Sequence, residues 1–389
     1  MGVADGYRTR AGVLIENPFY GLVAFVGLYL VVDLALKLNG IDIRVSLPFV
    51  GGVKVIGGSV GLSSFLIKLT NGILRGLVIG LAGIGLSMTY SILGFANFAH
   101  GDFITVGAFL GTGTSYVIAG VLAAASYDIG KLTLMQINAS DLGLAITGGP
   151  LAFLAIVFGL IVAGAGTVGV VLLTDRLAFK PIRDRGGITL LITSIGVALV
   201  IRYLANFIWG TSKRNTYTPA AAWDITIPVG NGILKLDAHD FTLLILGVSL
   251  MLGVHVLLQS SKLGKAMRAM ADNKDLARVT GIPTERVIRF TWILGGSLTG
   301  VAGYTWVLWR GTFGWFDGWL FLLLVFAAVI LGGIGSIYGA MAGGLVIGLT
   351  RDLSTIFIPS GLAKASAFAL MIVVLVVKPS GLFGGRTTA

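Results

Sequence analysis

The sequence predicts an all-α, polytopic integral membrane helical bundle, and two observations predict it. First, 56% of the residues are hydrophobic and only 12% are charged, whereas about a quarter of the residues of a soluble domain carry charge. Second, long stretches contain no Asp, Glu, Lys or Arg, and each can supply the roughly 20 apolar residues that cross a bilayer as a helix. These stretches are residues 76–101, 103–127, 142–174, 241–261, 290–309 and 318–350. Because they lack polar and apolar alternation, a helical bundle is favoured over a β-barrel.

About eight full spans are expected, plus a glycine-broken hairpin of two shorter helices. The full spans are predicted near residues 19–36, 65–93, 103–125, 148–175, 188–209, 240–259, 290–309 and 361–377. The window 320–350 is long, but its middle is interrupted by Gly332, Gly333, Gly335 and Ser336. Two helices that meet at a glycine hinge therefore fit this window better than one span does.

Residues 1–64 are predicted to be an N-terminal extension, and residues 65–385 the main transmembrane domain. The extension holds one extra transmembrane helix, which contains Asp33 and begins too far into the chain for a typical signal peptide. The polar, Gly-rich stretch 37–61 has strand-like character and is expected outside the bilayer.

Basic residues orient the chain. The connections 176–185 and 262–289 are rich in Lys and Arg, which places both in the cytoplasm together with both chain termini. Residues 37–75, placed outside, also carry Lys and Arg, so the topology depends on the two central connections. The net charge of +11 is explained by membrane-flanking loops, and no nucleic-acid partner is expected.

Glycines at every fourth residue predict close helix packing, because small residues let helix backbones approach each other in lipid. The repeats are Gly72, Gly76 and Gly80; Gly335, Gly339 and Gly343; and Gly344 with Gly348.

Motifs for cofactors and catalysis are missing from the sequence. There is no phosphate-binding GxxxxGK[ST] loop, no cysteine and no HExxH, which excludes ATP binding by that loop, disulfides and thiolate metal sites. The letters GAGTVG at 164–169 match a dinucleotide fingerprint, but they lie in an apolar window without a preceding strand. The chain is therefore expected to bind no cofactor or metal and to catalyse no reaction.

Two polar segments stand out. In the first, Asn97, His100 and Asp102 lie between two apolar windows, beside Gly94 and Gly101. Polar side chains at such a place line a cavity, a pathway or an interface. A second interpretation remains open, in which they cap helix ends at the cytoplasmic boundary with Asp102 as an N-cap.

The second polar segment, residues 262–289, is basic and amphipathic. We expect two short helices, the second started by Asp272 and Asn273 and ended by Gly281 with Pro283. Its predicted apolar stripe consists of Ala266, Met267, Met270, Ala271, Ala277, Val279 and Ile282. Such a stripe can bind anionic lipid at the membrane surface or a groove on a partner protein, and both interpretations remain open.

Four segments, in order, resemble permease subunits of branched-chain amino-acid ABC importers. They are YSILGFANFAHGDFITVGAF (90–109), the weaker match FKPIRDRGGITLLITSIGVALVIRYLANFIWG (179–210), GKAMRAMADNKDLARVTGIPTERVIRFTWILGGSLTGVAG (264–303) and FAAVILGGIGSIYGAMAGGLVIGL (326–349). The matches cover most of residues 65–385 and leave 1–64 outside.

The resemblance implies half of a transporter in the prokaryotic plasma membrane. Such a chain pairs with a sibling permease, as a homo- or heterodimer, and takes its substrate from an extracytoplasmic binding protein. Two cytoplasmic ATPase subunits use the ATP. The implied cargo is a branched-chain or related hydrophobic amino acid.

The resemblance also implies roles for particular residues. The loop that docks on the ATPase would use Gly264, Arg268, Ala271, Asp272, Asp275, Ala277, Gly281 and Ile282. The translocation pathway or its hinges would use Asn97, His100 and Asp102 together with Gly332, Gly333, Gly335 and Ser336. Two positions depart from the family pattern: Lys265 stands where arginine is common, and Tyr338 where proline is usual.

Three alternatives remain. A permease of the same family for urea, short amides or another small polar solute fits the same residues. A secondary transporter driven by an ion gradient, with Asp33 and Asp102 as proton carriers, fits the bare sequence. An intramembrane enzyme is disfavoured, since no convergent acid, base and nucleophile are visible.

Overall fold

The computed structural model describes residues 18–47, 51–122, 150–215 and 224–383. Twelve α-helices lie in these residues: α1 (Pro18–Leu38), α2 (Leu62–Leu93), α3 (His100–Leu122), α4 (Pro150–Thr174), α5 (Gly187–Trp209), α6 (Ala238–Ser260), α7 (Lys262–Asp272), α8 (Lys274–Val279), α9 (Thr284–Arg310), α10 (Asp317–Gly332), α11 (Ile337–Leu353) and α12 (Ala363–Val377). A π-helical turn (Asp175–Phe179) and a 3-10 turn (Lys180–Arg185) connect α4 to α5. Two further 3-10 turns, Ser354–Ile356 and Ser360–Leu362, precede α12.

Three antiparallel strand pairs complete the described secondary structure. β1 (Asp42–Leu47) pairs with β2 (Gly51–Gly57), β3 (Arg214–Asn215) with β6 (Thr312–Phe313), and β4 (Asp224–Val229) with β5 (Gly232–Asp237). The β1–β2 hairpin matches the strand-like character predicted for residues 37–61. The parts of the predicted spans 103–125 and 148–175 at 123–125 and 148–149 lie outside the described residues, as do both chain termini.

Six described helices are long and apolar enough to cross a membrane, or seven if a bent pair counts as one span. The six include α1, α2, α4, α5, α6 and α12, so the expected count of about eight full spans is not confirmed. The other two predicted spans correspond to α3 and α9. Most residues of both helices are buried, and a helix surrounded by protein needs less apolar surface than one that faces lipid.

The bent pair is α10 and α11. Their axes differ by 120° across the break, which matches the predicted hairpin of two shorter helices. The backbone of Gly333 (φ 105°) and of Gly335 (φ 86°) lies in a region that only glycine adopts readily, so the sequence can reverse direction here without strain.

The core is centred on α2, and α1 lies at the periphery. In the apolar window of α2, 83% of the residues are buried, against 6% for α1. The end of α1 is attached through Lys37, whose Nζ donates to the carbonyl of Ile356 (3.3 Å) and lies 4.7 Å from the Phe357 ring centre. The division into an extension and a main domain stays a prediction.

Glycines bring α2 and α11 into direct backbone contact. A Cβ added to Gly344 would lie 2.5 Å from the Gly80 nitrogen, and one added to Gly348 would lie 2.4 Å from the Gly72 oxygen. On another face of α11, a Cβ on Gly343 would lie 2.1 Å from the Ala328 oxygen in α10. The predicted glycine repeats are therefore the surfaces where α11 meets α2 and α10.

We predict that Gly344→Ala destabilises the bundle by about 1–3 kcal/mol, because the added methyl group meets backbone that cannot move aside. Thermal unfolding in detergent micelles measures the effect. Gly253→Ala in α6 is the matched control, since a Cβ there meets nothing within 4 Å. Equal midpoints for both variants would contradict the direct contact.

Candidate functional site

The polar turn between α2 and α3 is buried. Gly94 (φ 72°) ends α2, and its N–H donates to the Tyr90 carbonyl. The Asn97 Oδ1 accepts from the Ala99 N–H (3.1 Å), which forms a local turn before α3. Asn97 is fully buried, and its Nδ2 donates to no atom of the described residues.

This turn returns into the bundle. His100 Nε2 lies 2.8 Å from the Ala82 carbonyl and 3.3 Å from Thr299 Oγ1. Ala82 precedes the end of α2 by roughly three helical turns, about 16 Å. Consequently α3 begins inside the bundle, beside Ala82 and about three turns before the end of α2.

Asp102 belongs to a buried ion pair. Its Oδ1 and Oδ2 accept from Nε (3.0 Å) and Nη2 (2.9 Å) of Arg202 in α5. The guanidinium also lies 4.3 Å from the ring centre of Trp319 and 5.4 Å from that of Phe316. The pair thus joins α3 and α5 to the start of α10.

The interpretation of Asp102 as an N-cap is wrong. The helix begins at His100, which places Asp102 within its first turn, and both carboxylate oxygens are bound to Arg202. The location of this set relative to the cytoplasmic boundary stays a prediction. Arg202 was missed at the sequence level, although it is the one charged residue in the predicted span 188–209, and a charge in such a span is itself a functional signal.

Three sets of contacts surround the glycine hinge between α10 and α11. Gly332 must be small, because a Cβ there would lie 1.9 Å from the Gly339 oxygen. Ser336 caps α11, since its Oγ accepts from the Gly339 N–H (3.0 Å). The chain after α12 supplies the remaining donors: the N–H groups of Leu382 and Phe383 donate to the carbonyls of Leu331 (2.8 Å) and Gly332 (2.9 Å).

Tyr338, which departs from the family pattern, links the hinge to α6. Its hydroxyl lies 2.8 Å from His255 Nδ1 and accepts from Gln259 Nε2 (3.0 Å). Both partners lie in the last two turns of α6, immediately before the basic segment.

The segment α7–α8 has defined caps. Ser261 Oγ accepts from the Gly264 N–H (2.9 Å), and Asn273 Oδ1 accepts from the Leu276 N–H (2.9 Å). After α8, the N–H of Gly281 donates to the Arg278 carbonyl and that of Ile282 to the Ala277 carbonyl, which is a Schellman motif with glycine at φ 86°. Of the two residues predicted to start α8, Asn273 does so, and Asp272 is the last residue of α7.

The inner face of α7 packs on the bundle. Gly264 is required because a Cβ would lie 2.1 Å from the Leu258 oxygen, and Arg268 Nη1 donates to the same carbonyl (2.8 Å). Met267 and Met270 are 2% exposed. The interpretation of the apolar stripe as a surface for lipid or a partner is therefore wrong for these two methionines and for the buried Ala277.

The outer face of α8 carries apolar side chains without cover. Leu276 is 61% and Val279 85% exposed. Among the predicted docking residues, Asp272, Asp275 and Gly281 are exposed, Arg268, Ala271 and Ile282 are half-buried, and Gly264 and Ala277 are buried. A salt-bridged turn between α4 and α5 meets the start of α9: Arg183 bridges Asp175 (2.7 Å) and Glu285 (2.8 Å).

The structure thus places two pairs of the predicted elements in contact: the polar turn with α10, and the glycine hinge with the end of α6. The polar turn contacts α10 through Phe98, whose ring centre lies 5.1 Å from that of Phe326, and the hinge contacts the end of α6 through Tyr338. In the described part of the chain, no cluster of three or more His, Asp or Glu side chains is arranged to hold a metal ion.

We predict that Arg202→Met lowers the free energy of unfolding by roughly 3–5 kcal/mol, because it leaves the Asp102 charge buried without a partner. Thermal unfolding in detergent detects the loss. The double variant with Asp102→Leu should recover most of it, since both charges are then removed. The two residues are not coupled if the loss of unfolding free energy in the double variant equals the sum of the losses in Arg202→Met and Asp102→Leu alone.

Comparisons with known proteins agree with this architecture. The family "Branched-chain amino acid transport system / permease component" matches residues 68–377. The high-affinity branched-chain amino acid transport system permease protein LivH of Escherichia coli K12 is 30% identical over 323 residues, which cover 82% of this chain and 96% of that protein.

More distant relatives match over a similar extent. The permease BraD of Pseudomonas aeruginosa is 26% identical and covers 82% of this chain and 96% of its own length. A probable permease of Methanocaldococcus jannaschii is 27% identical and covers 88% of this chain. The chain is therefore a multi-pass membrane protein that belongs to the branched-chain amino acid transport permease family.

Proposed function

We propose that this chain is half of the translocation pathway of an ATP-driven importer for branched-chain or related hydrophobic amino acids in the prokaryotic plasma membrane. The observation that carries the proposal is the family match over residues 68–377. The chain pairs with a sibling permease and receives its solute from an extracytoplasmic binding protein. ATP is bound and hydrolysed by two partner ATPase subunits.

The outer face of α8 is the surface for the ATPase. Leu276 and Val279 are exposed, and Asp275 and Arg278 are exposed beside them. Apolar side chains within a charged rim are typical of protein interfaces. The buried face of α7 anchors this surface, since Met267 and Met270 pack in the core.

The same geometry provides a route for movement. When the ATPase dimer closes, it displaces α8 and α7 as a unit. Arg268 and Gly264 hold α7 against Leu258 at the end of α6, and Tyr338 joins that end to the start of α11. The glycine hinge then allows α11 to tilt against α10, which changes access to the pathway.

An ion-gradient transporter is less well supported. Its proposed proton carriers are both held by cations: Asp102 by Arg202, and Asp33 by Lys37 at 2.6 Å. Each carboxylate therefore has a cationic partner inside the protein, and the family match over residues 68–377 favours the importer.

Uptake by proteoliposomes that contain the assembled complex tests the proposed function. We expect leucine uptake that requires ATP on the ATPase side and the binding protein on the other, and that persists with a protonophore. Uptake that continues without an ATPase and collapses with the protonophore would support the ion-gradient alternative. Uptake of urea or a short amide in place of leucine would replace the proposed cargo.

We predict that the double substitution Leu276→Asp and Val279→Asp reduces solute-stimulated ATP hydrolysis at least tenfold, because charges replace the apolar contact with the ATPase. The fold should be kept, since both side chains are exposed. Ile225→Asp, at an exposed apolar position on β4 (43% exposed), is the control and should hydrolyse ATP normally. Normal hydrolysis in the double variant would contradict the docking surface.

A further inference from the structure

A group of charged residues gathers at the end of the bundle far from α7–α8. The helix α9 has 27 residues and is therefore about 40 Å long; it begins just after the α8 segment and ends at Arg310. Arg310 interacts electrostatically there with Arg351 in the last turn of α11, as do Arg75 of α2 and Asp352. We call Arg75, Arg310 and Arg351 the distal arginine cluster.

Two members of the cluster have partners. Arg75 Nε donates to Asp352 Oδ2 (2.7 Å), and its guanidinium lies 4.7 Å from the ring centre of Trp309. Arg310 Nη1 lies 3.8 Å from Asp317 Oδ1, and its side chain is 40% exposed. The first arginine is thus held inside the bundle, and the second is open to solvent.

Arg351 differs from both. Its Nε and Nη1 are buried and donate to no atom in residues 18–47, 51–122, 150–215 or 224–383. Positive charge is in excess around it, since Lys364 also lies within electrostatic range. A buried guanidinium with two unused donors beside other cations is unfavourable, and an anion that accepts from Nε and Nη1 would relieve this cost.

The surroundings favour an anion that carries both a carboxylate and an apolar part. A carboxylate matches the parallel donors of a guanidinium and accepts two hydrogen bonds from it. Trp306 and Trp309 lie beside the cluster, with ring centres 5.4 Å and 4.7 Å from the Arg75 guanidinium. The half-buried ring of Trp309 offers an apolar surface to an aliphatic side chain, whereas Trp306 is 5% exposed.

We propose that Arg351 binds the carboxylate of the transported amino acid at the membrane face opposite α7–α8. The site would receive the solute before it enters the pathway, with Arg75 and Arg310 supplying further positive charge. This inference rests on the proposed function, because it takes an amino acid as the cargo.

Thermal unfolding of the purified chain in detergent tests the site with three probes. Leucine and isovalerate keep the carboxylate and the aliphatic chain, whereas leucinamide lacks the carboxylate. We expect leucine and isovalerate to raise the midpoint, because a ligand that binds only the folded state stabilises it. Leucinamide and acetate should leave it unchanged. An equal rise with leucinamide would overturn carboxylate recognition, an equal rise with acetate would overturn the aliphatic contact, and no rise with any probe would overturn the site.

The variant Arg351→Gln separates this site from a structural role. Without ligand its midpoint should equal or exceed that of the native chain, since an uncompensated charge is removed, and leucine should no longer shift it. Lys235→Gln, at a side chain 66% exposed on β5, is the matched control and should respond to leucine as the native chain does. A lower midpoint together with an unchanged leucine shift would overturn the proposal.

Uptake by the assembled complex distinguishes the two proposals. With Arg351→Gln, we expect the KM for leucine to rise at least tenfold, whereas the control Lys235→Gln should leave both the KM and the basal ATP hydrolysis unchanged. An unchanged KM would overturn the carboxylate site and leave the importer function intact. Absence of ATP-dependent uptake in the native complex would overturn the importer function itself, whatever the chain alone binds.

Discussion

Direct backbone contact between α2 and α11 is the constraint on which the rest of the bundle depends. In lipid, helices gain little from burying apolar surface against each other, so they associate through close packing. The glycines of both helices allow this approach, as Gly344 against Gly80 illustrates. Once α11 lies on α2, its two ends are fixed: the hinge at one end and Arg351 with Asp352 at the other. Because α2 and α11 are in backbone contact, we expect them to move together relative to α10, with the change of backbone angle at the glycine hinge.

Two kinds of charged side chain lie inside the bundle: those in an ion pair, and one with unused hydrogen-bond donors. Asp102 and Arg202 satisfy each other with two hydrogen bonds, and this pair holds the start of α3 in a polar turn that returns into the bundle. Among the described residues, Arg351 has no such partner for its Nε and Nη1. A fully paired charge stiffens a structure, because breaking it is costly. Donors without a protein partner can bind an external anion, and the carboxylate site proposed at Arg351 depends on this.

The end of α6 connects α7–α8, the proposed surface for the ATPase, with the glycine hinge. It carries His255 and Gln259, which contact Tyr338 in α11, and Leu258, whose carbonyl binds Arg268 in α7. A displacement of α7 consequently reaches both α6 and α11 through hydrogen bonds and packed backbone. Tyr338, one of the two departures from the family pattern, supplies one of these links.

The sequence by itself determined the class of the protein, because hydropathy, charge-free windows and glycine spacing are local properties. It also located the hinge glycines and the caps at Asn273 and Gly281, whose conformations depend on neighbouring residues. Only the tertiary structure decided which side chains meet: that Asp102 pairs with Arg202, 100 residues away, that Met267 and Met270 face the core, and that α3 begins inside the bundle. These outcomes depend on how distant helices pack, and the amphipathic pattern of α7 does not say which partner covers its apolar side.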